Sequence, residues 1–318
     1  MRIKSAQLHR SQYSHCEISI PNWIVRDYLR YLTCLKLRHS ITSKLVRMFR
    51  IAVFAALVGL LLTVAHNATG QSSEYTVISV ANGGTIKGTV KWSGPEPHLT
   101  RLTITKDPQI CDPDSHKTRD LERLVIGPQG GVANTVVFIK SISSGKAFDL
   151  PPERRTLDQR LCRYEPHILL VPERSALQMK SSDATLHTIH MDGAATYNLP
   201  FPFQNQTVSR DMNTPGLVNL KCNGGHVWMN AEMFVAPHPY YAVTDETGAF
   251  VLTDVPPGDY EIVAWHEGWQ VLGEQSTFDV LTEKKVERPV FSEPRTWEKP
   301  ASVGKNAAAV VNFVISAK

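Results

Sequence analysis

The chain has 318 residues, of which 42% are hydrophobic and 20% charged, and its formal net charge is +4. This composition excludes a disordered or collagen-like chain and leaves room for two domains of ordinary size. The charge is uneven, because residues 1–50 hold ten Lys/Arg against two Asp/Glu, so the remaining chain carries about −4. A nucleic-acid partner is therefore not expected.

The N-terminal region predicts export. Residues 51–65 form an uncharged apolar run that follows Arg47 and Arg50. This run fits the hydrophobic core of a signal peptide and is shorter than the roughly 20 residues that a membrane-spanning helix needs. We expect a signal peptide at 48–70, preceded at 1–47 by an upstream extension or a long, disordered n-region, and hence a periplasmic or secreted protein. The alternative is an uncleaved N-terminal anchor, which would be the only contact with a membrane.

Beyond the leader the chain predicts β-structure. Short runs of β-branched and aromatic residues at 85–92, 135–140 and 249–253 are bounded by Gly, Pro, Asn and Asp. Strands of this length and spacing predict an all-β fold with two sandwiches. One helix is expected from Glu153 to Arg160, because two prolines precede it. Residues 291–318 are expected to form a C-terminal tail with a closing strand.

A thiolate, an imidazole and a thioether lie close together in the segment Cys222-Asn-Gly-Gly-His226-Val-Trp-Met229. His187, from an earlier strand, adds a second imidazole. Two imidazoles, a thiolate and a thioether are the donor set of a mononuclear copper site that cycles between Cu(I) and Cu(II). We therefore expect one copper ion per chain, with His187, Cys222, His226 and Met229 as its ligands.

Four motifs follow one another before and at the ligand loop: Pro166-His-Ile-Leu-Leu-Val, Leu177-Gln-Met-Lys-Ser-Ser-Asp183, the His187 strand and the loop itself. With these motifs, residues 162–236 resemble the C-terminal half of a cupredoxin of the plastocyanin/azurin type. The resemblance implies a Greek-key β-sandwich whose final loop supplies Cys, His and Met. One departure is that three residues separate Cys222 from His226, where related proteins commonly have two or four.

The same resemblance implies a role for each ligand. His187, Cys222 and His226 would be the equatorial ligands and Met229 the axial one. An exposed edge of His226 would provide the electron path to a docked partner.

Two residues compete with these ligands. His187 and His190 are separated by an odd number of residues, so they point to opposite faces of an extended strand and only one can face the cysteine. We favour His187, since the polar turn before it resembles the one that precedes the cupredoxin His. Met233 lies four residues after Met229, so strand parity does not choose between them. Met229 is favoured because it follows His226 at the spacing of the shorter cupredoxin loops.

Residues 243–264 resemble part of a carboxypeptidase-regulatory-like, transthyretin-like β-sandwich, with a Gly-turned hairpin, a Pro-Gly turn and an alternating strand. Strands typical of the start of that family occur at 84–90 and 134–140, before the cupredoxin-like part. We expect an Ig/transthyretin-like sandwich split in two, with the copper domain inserted at a loop. The alternative is two continuous domains in tandem. The expected boundaries are 80–142 and 238–290 for the split sandwich and 143–237 for the cupredoxin-like copper domain.

The cysteine count supports a free thiol at the copper loop. Cys16 and Cys34 fall in the leader, which leaves Cys111, Cys162 and Cys222. An odd number in an oxidising compartment leaves one thiol unpaired. A Cys111–Cys162 disulfide would leave Cys222 to bind metal and would stabilise the fold by roughly 4 kcal/mol. A disulfide between Cys222 and either of the others would remove the thiolate ligand of the copper site.

The expected function is electron transfer between periplasmic redox partners, such as a cytochrome or a dehydrogenase. No nucleophile elbow, phosphate-binding loop or His-Glu-x-x-His motif occurs in the sequence, so an enzyme is not expected. Two alternatives remain open. One is a periplasmic or cell-surface β-sandwich module that binds carbohydrate or protein, and the other is a copper storage or delivery protein with the same ligands.

Overall fold

The computed structural model describes residues 74–317, so the predicted signal peptide and upstream extension lie outside the described residues. Within this range strands dominate, which confirms the all-β fold. The helical elements are α1 (Pro108–Cys111) and a 3-10 turn (Pro152–Arg155). The helix expected from Glu153 to Arg160 is wrong, because alternating burial makes Thr156–Arg160 a strand. No helix in the described part is long and apolar enough to cross a membrane.

One pair of sheets takes its strands from both sides of residues 156–236, and we call it the split sandwich. Its strands are β2 (Gly84–Ser93), β5 (Val136–Ile139), β16 (Tyr241–Val243), β17 (Ala249–Val255), β18 (Gly258–His266), β21 (Arg295–Val303), β22 (Ala308–Val310) and β23 (Phe313–Ser316). One sheet has the order β16-β5-β18-β21, and the other the order β17-β2-β22 with β23 also beside β2. The segment expected as a separate tail, 291–318, therefore supplies three strands of this sandwich.

The second pair of sheets, the inserted sandwich, lies within residues 156–236. Its strands are β7 (Thr156–Arg160), β8 (Arg163–Glu165), β9 (Ile168–Pro172), β10 (Ser175–Ser181), β11 (His187–Gly193), β12 (Tyr197–Phe201), β13 (Thr207–Met212), β14 (Gly216–Lys221) and β15 (Asn230–Ala236). The sheet orders are β13-β10-β7-β8 and β12-β11-β14-β15-β9. Buried side chains of both sheets, among them Leu177, Ile189 and Val218, form its core.

Three two-stranded sheets complete the fold, and two of them flank the inserted sandwich. They are β1 (Thr76–Val77) with β6 (Ser144–Gly145), β3 (Leu102–Thr103) with β4 (Thr118–Arg119), and β19 (Val271–Phe278) with β20 (Lys285–Phe291). Residues 102–121 were expected within the split sandwich, at 80–142. Instead Ile104, Cys111 and Leu121 from this segment pack into the core of the inserted sandwich.

The Gly-turned hairpin expected in the split sandwich joins β16 to β17. The Asp245 carboxylate accepts a hydrogen bond from the Thr247 amide at 2.8 Å, which closes the turn locally. Gly248 follows with φ of 75°, and a β-carbon there would lie 2.1 Å from the Val90 carbonyl oxygen. The close approach of β2 and the positive φ together require glycine.

A buried ionic cluster joins the two sandwiches, and we call Arg123, His167, Glu232 and Glu267 the Arg123 network. The Arg123 guanidinium lies 2.9 Å from the Glu267 carboxylate and 3.7 Å from that of Glu232. His167 hydrogen-bonds the same Glu267 through Nε2. The guanidinium also stacks 3.9 Å from the ring centroid of Phe291. The charges are thus paired on removal from water, as buried charges must be.

Candidate metal centre

The candidate ligands come from β11 and from the loop between β14 and β15. These strands are neighbours, because β11 pairs antiparallel with β14 in the register His190 opposite Lys221. Cys222 therefore falls beside Thr188, whose amide nitrogen lies 3.4 Å from the cysteine Sγ. The Asn223 amide donates to the Thr188 hydroxyl at 2.7 Å. This pairing fixes the start of the loop against the strand that carries His187.

Three donor atoms meet at this point. The Nδ1 atoms of His187 and His226 are 3.2 Å apart, and the Cys222 Sγ is 3.8 Å from the Nδ1 of His226. All three groups offer donor atoms within 4.8 Å of one another, and all three residues are fully buried. Two imidazoles and a thiolate facing one another could hold one soft or borderline metal ion.

A carboxylate lies behind each imidazole. The Asp183 Oδ2 is 2.9 Å from the Nε2 of His187, and the Asp107 Oδ2 is 3.0 Å from the Nε2 of His226. Because a carboxylate accepts the N–H at Nε2, each ring in its neutral form directs its Nδ1 lone pair to a metal. The sequence predictions included neither role. Asp183 stood in the polar turn that pointed to His187, whereas nothing in the sequence marked Asp107.

Charge and burial shift three pKa values here. Burial would raise the pKa of Cys222, but its contacts with His187 and His226 lower it well below the ordinary value. Burial would lower the pKa of His187, but Asp183 and Cys222 raise it to about 9. Burial would raise the pKa of Asp183, but hydrogen bonds from His187 and from two backbone amides lower it. A metal ion would thus meet a ready thiolate.

The two candidate methionines lie at different distances from the ligand loop, Met229 within it and Met233 on β15. Met229 lies in the ligand loop, where its amide donates to the His226 carbonyl at 3.0 Å and its carbonyl accepts from the Cys222 amide at 3.4 Å. Met233 lies opposite Val218, three residue pairs beyond the pair of Lys221 and Asn230. At about 3.3 Å per residue, Met233 is roughly 10 Å farther along the strand. Loop geometry therefore keeps Met229 as the candidate axial ligand.

His190 stands outside the group of three donors. It lies opposite Lys221 on one side and Asn198 on the other. Its Nδ1 is buried and has no hydrogen-bond partner within residues 74–317. Burial, followed by the nearby Lys221 charge, lowers its pKa. Only His187, of the two histidines weighed from the sequence, faces Cys222.

The disulfide expected between Cys111 and Cys162 is present, and Cys222 is a free, buried thiol. The Cys162 amide donates to the Asp183 carboxylate at 2.8 Å, and its carbonyl accepts from the Trp228 indole at 3.1 Å. Cys111 ends α1, the short helix that begins directly after Asp107. The disulfide thus ties together the two segments that position the carboxylates.

The exposed edge of His226, expected from the cupredoxin resemblance, is not found, because the residue is fully buried. Asp107 covers its Nε2, and the Lys106 ammonium extends this cover through a 2.6 Å ion pair with Asp279. Gly225, with φ of 86°, allows this approach, since a β-carbon there would lie 2.6 Å from the Asp279 carboxylate. Residues distant in sequence cover the loop, which is why the loop alone did not predict its burial.

The hairpin of β19 and β20 contacts the ligand loop from the split sandwich. The Val280 amide donates to the Asn223 carbonyl at 3.1 Å, and Arg288 donates to the Cys222 carbonyl. Three apolar residues at its tip, Phe278, Val280 and Leu281, are more than half exposed. The candidate metal centre is therefore covered by a hairpin whose tip presents apolar side chains among polar ones.

Comparison with known proteins gives a partial match. Residues 239–290 match the family described as BOS complex subunit NOMO1-like, second beta sandwich domain. This supports a β-sandwich for that part of the split sandwich. No curated protein matches the chain.

Solved structures align with limited parts of the chain. A novel purple cupredoxin from Nitrosopumilus maritimus aligns at 15% identity over 26% of this chain and 98% of that chain, with a TM-score of 0.23. A reduced mutant of amicyanin aligns at 20% identity over 31% of this chain and 97% of that chain, with a TM-score of 0.24. A copper-containing nitrite reductase from Thermus scotoductus aligns at 15% identity over 30% of this chain and 25% of that chain, with a TM-score of 0.25. Similarity at these TM-scores gives no support for a particular activity.

Proposed function

We propose that this chain is an exported mononuclear copper protein that transfers electrons between periplasmic redox partners. The observation that supports this function is the buried meeting of His187 Nδ1, His226 Nδ1 and Cys222 Sγ within 4.8 Å of one another. These residues would hold the copper, with Met229 as the axial ligand. One copper ion per chain is the expected cofactor.

The donor chemistry fits copper. Thiolate and thioether sulfur stabilise Cu(I), whereas imidazole accepts both oxidation states. Bound copper would supply a one-electron couple that no side chain of this cluster provides. The Nε2 atoms of His187 and His226 are committed to carboxylates, so a metal would bind at the Nδ1 atoms and displace the Nδ1 proton that His187 holds below its pKa of about 9.

The surrounding residues hold this arrangement rigidly. Asp183 and Asp107 fix the orientation and tautomer of the two imidazoles. The amides of Thr188 and Gly224 point to the Cys222 sulfur at 3.4 and 3.3 Å. Packed ligands that scarcely move between oxidation states favour electron transfer. Full burial excludes water and leaves no place for a substrate, which favours a carrier over an oxidase.

The proposal also includes export to an oxidising compartment and a redox protein as partner. The predicted signal peptide and the disulfide both suit an oxidising compartment. A redox protein such as a cytochrome or a dehydrogenase would dock on the tip formed by Phe278, Val280 and Leu281, which contacts the ligand loop through Asn223. Exposed apolar patches of this kind are typical of protein interaction surfaces. No nucleic acid is involved, and the membrane enters only through an uncleaved N-terminal anchor.

The first experiment is spectroscopic. The chain from Gln71 onward receives one equivalent of Cu(II), and optical and EPR spectra are recorded before reduction, after reduction and after reoxidation. We expect an intense visible thiolate-to-copper band that bleaches and returns. A colourless protein, or one with weak ligand-field absorption alone, contradicts the proposal. Tight Cu(I) binding without reoxidation would favour copper storage or delivery, which uses the same ligands.

Two variants test the ligand assignment. Cys222→Ser removes the thiolate at nearly constant volume and should abolish the visible band while the fold persists by circular dichroism. His190→Gln is the matched control, because this residue lies on β11 outside the donor group. It should leave the band unchanged. A band that survives in Cys222→Ser overturns the assignment.

A cavity favours a second candidate function, a module that binds carbohydrate or protein. It has a volume of about 740 Å³ and is lined by Phe148, Glu153, Arg154 and Tyr241 among others. Aromatic and charged side chains around one groove suit a sugar or an extended peptide. Binding of a glycan to copper-free Cys222→Ser protein, lost in Phe148→Ala, would support this function. A glycan panel without a ligand would reject the carbohydrate form of it.

A further inference from the structure

The disulfide lies directly against the metal centre. The sulfur atoms of Cys111 and Cys162 and a nitrogen of His226 lie within 4.8 Å of one another. The Cys162 sulfur also lies within 4.8 Å of donor atoms of Asp183 and His187. A crosslink that served stability alone would need no imidazole beside it. Two thiols released here would therefore face a buried imidazole.

We propose that Cys111, Cys162 and His226 form a masked second metal site, which binds Cu(I) once the disulfide is reduced. Two thiolates and one imidazole are soft and borderline ligands that select Cu(I). With both sites filled, His226 would bridge them as an imidazolate, which requires its Nε2 to leave Asp107 and to lose its proton. The proposal deepens the proposed function, on which it rests for the first copper ion only.

The chemistry balances with a dithiol as reductant. A dithiol protein attacks the disulfide through its thiolate, and exchange leaves two cysteine thiols here and a disulfide in the reductant. Two electrons and two protons pass from the dithiol to the two sulfur atoms. Copper then enters as Cu(I), with no change in its oxidation state, and the two thiols and the Nε2–H group of His226 release their protons to solvent.

A route to the disulfide exists on the side of Cys111. This residue lines a cavity of about 390 Å³, together with Asp112, His116, Arg119 and Arg163 among others. The sulfur itself is buried, so exchange requires α1 to open. The helix has four residues, and its backbone bonds at this end run from the Cys111 amide to Asp107 and from the Asp112 amide to Pro108. Opening must also break the hydrogen bond from Arg119 to the Cys111 carbonyl.

Reduction also loosens the first site. Asp107 precedes α1, which ends at Cys111, and Asp183 is held by the amides of Leu161 and Cys162. Cutting the disulfide removes the covalent link between the segments that carry the two carboxylate contacts and leaves Arg119, which donates to the carbonyls of Cys111 and Leu161, to bridge them. The disulfide form thus suits an electron carrier, and the dithiol form a Cu(I) carrier.

The test counts Cu(I) ions. The chain from Gln71 onward is titrated anaerobically with Cu(I) alone against a colorimetric Cu(I) chelator, before reduction and after reduction with a phosphine that is then removed. We expect one Cu(I) in the disulfide form and two in the dithiol form. Cys111→Ser/Cys162→Ser protein should bind one under both conditions, and Cys222→Ser protein should bind one more Cu(I) after reduction than before it.

X-ray absorption at the copper edge on reduced Cys222→Ser protein identifies the ligands. Two sulfur atoms per copper are expected. A reduced wild-type chain that binds one Cu(I), a copper with fewer than two sulfur ligands, or a chain whose near-ultraviolet circular dichroism is lost on reduction overturns the masked site. Failure of the proposed function shows differently, as an absence of copper from the disulfide form. If the double serine variant does not fold, the sulfur count in reduced Cys222→Ser protein decides the question.

Discussion

Two buried clusters in this molecule combine histidine with carboxylates, yet they suit different tasks. In the metal centre each carboxylate holds the far nitrogen of an imidazole, and the near nitrogens of His187 and His226 meet 3.2 Å apart beside Cys222. In the Arg123 network the imidazole of His167 turns its Nε2 to Glu267, and the guanidinium balances the charge. Burial is common to both. The direction of the uncommitted lone pairs separates a candidate metal site from a structural ion pair.

The largest expected effect is a loss of stability when the Arg123 network is broken. Arg123→Ala leaves the fully buried Glu267 without its guanidinium partner. Removing one partner of a buried ion pair lowers the free energy of unfolding by about 3–5 kcal/mol, measured by urea denaturation at pH 7. Arg123→Met combined with Glu267→Gln removes both charges and should restore most of the loss. A decrease below about 1 kcal/mol for Arg123→Ala, the level of a surface pair, would contradict the buried-pair reading.

His238 is a buried histidine without a carboxylate partner, and its titration gives the second-largest expected effect, on stability. Burial lowers the pKa of His238 from 6.5 to about 4, opposed weakly by backbone hydrogen bonds. The unfolded chain therefore binds this proton more readily, so the stability is complete above pH 6.5 and is lost as the pH falls toward 4. At about 1.4 kcal/mol per unit, the total loss is roughly 3 kcal/mol.

The measurement is a set of urea denaturation curves at pH 7 and pH 4.5 for the wild type and His238→Gln. Glutamine can still accept the hydrogen bond of the Tyr240 amide, which the imidazole accepts at 3.3 Å. The variant should lose less stability than the wild type between the two pH values. Equal losses would show that His238 does not titrate as expected.

The third effect concerns the carboxylate behind His187. Asp183→Asn keeps the shape but removes the charge that orients the imidazole. Loss of such a partner reduces metal affinity by roughly 10–100-fold, measured by competition with a copper chelator. The visible band should survive, because the three donors remain. Unchanged affinity would mean that the strand alone orients His187.

The smallest effect is expected for Asp107→Asn, at less than about tenfold in the same competition. The Asp107 side chain is 26% exposed, whereas that of Asp183 is 5% exposed. Water can therefore replace part of the Asp107 contact with His226. A larger loss for Asp107→Asn than for Asp183→Asn would reverse this ranking.

Local patterns accounted for much of the fold. Short runs of β-branched and aromatic residues predicted strands such as β2 and β17, and the resemblance of residues 243–264 to a transthyretin-like sandwich predicted the Gly turn before Ala249. Parity along β11 indicated that one of His187 and His190 would face Cys222, and the structure brings His187 there. The helix expected over 153–160 was wrong, since two prolines open a short turn as readily as a helix.

Contacts between distant segments could not be predicted from the sequence. Asp107 reaches His226 across 119 residues, and its segment had been assigned to the other sandwich. The burial of His226 depends on Lys106, Asp279 and a hairpin from a different sheet. No periodic pattern in the sequence predicts that His226 is buried, because its burial arises only when the two sandwiches pack together.

The chain order of the split sandwich imposes an order of assembly. All candidate ligands precede Val271, where the hairpin that covers them begins, and β22 and β23 lie beside β2 at the far end of the described chain. If the exported chain emerges from its N-terminus onward, the inserted sandwich can therefore close first, its cover second and the outer sheets last. For an interval the ligand loop stands open while the C-terminal strands are still emerging.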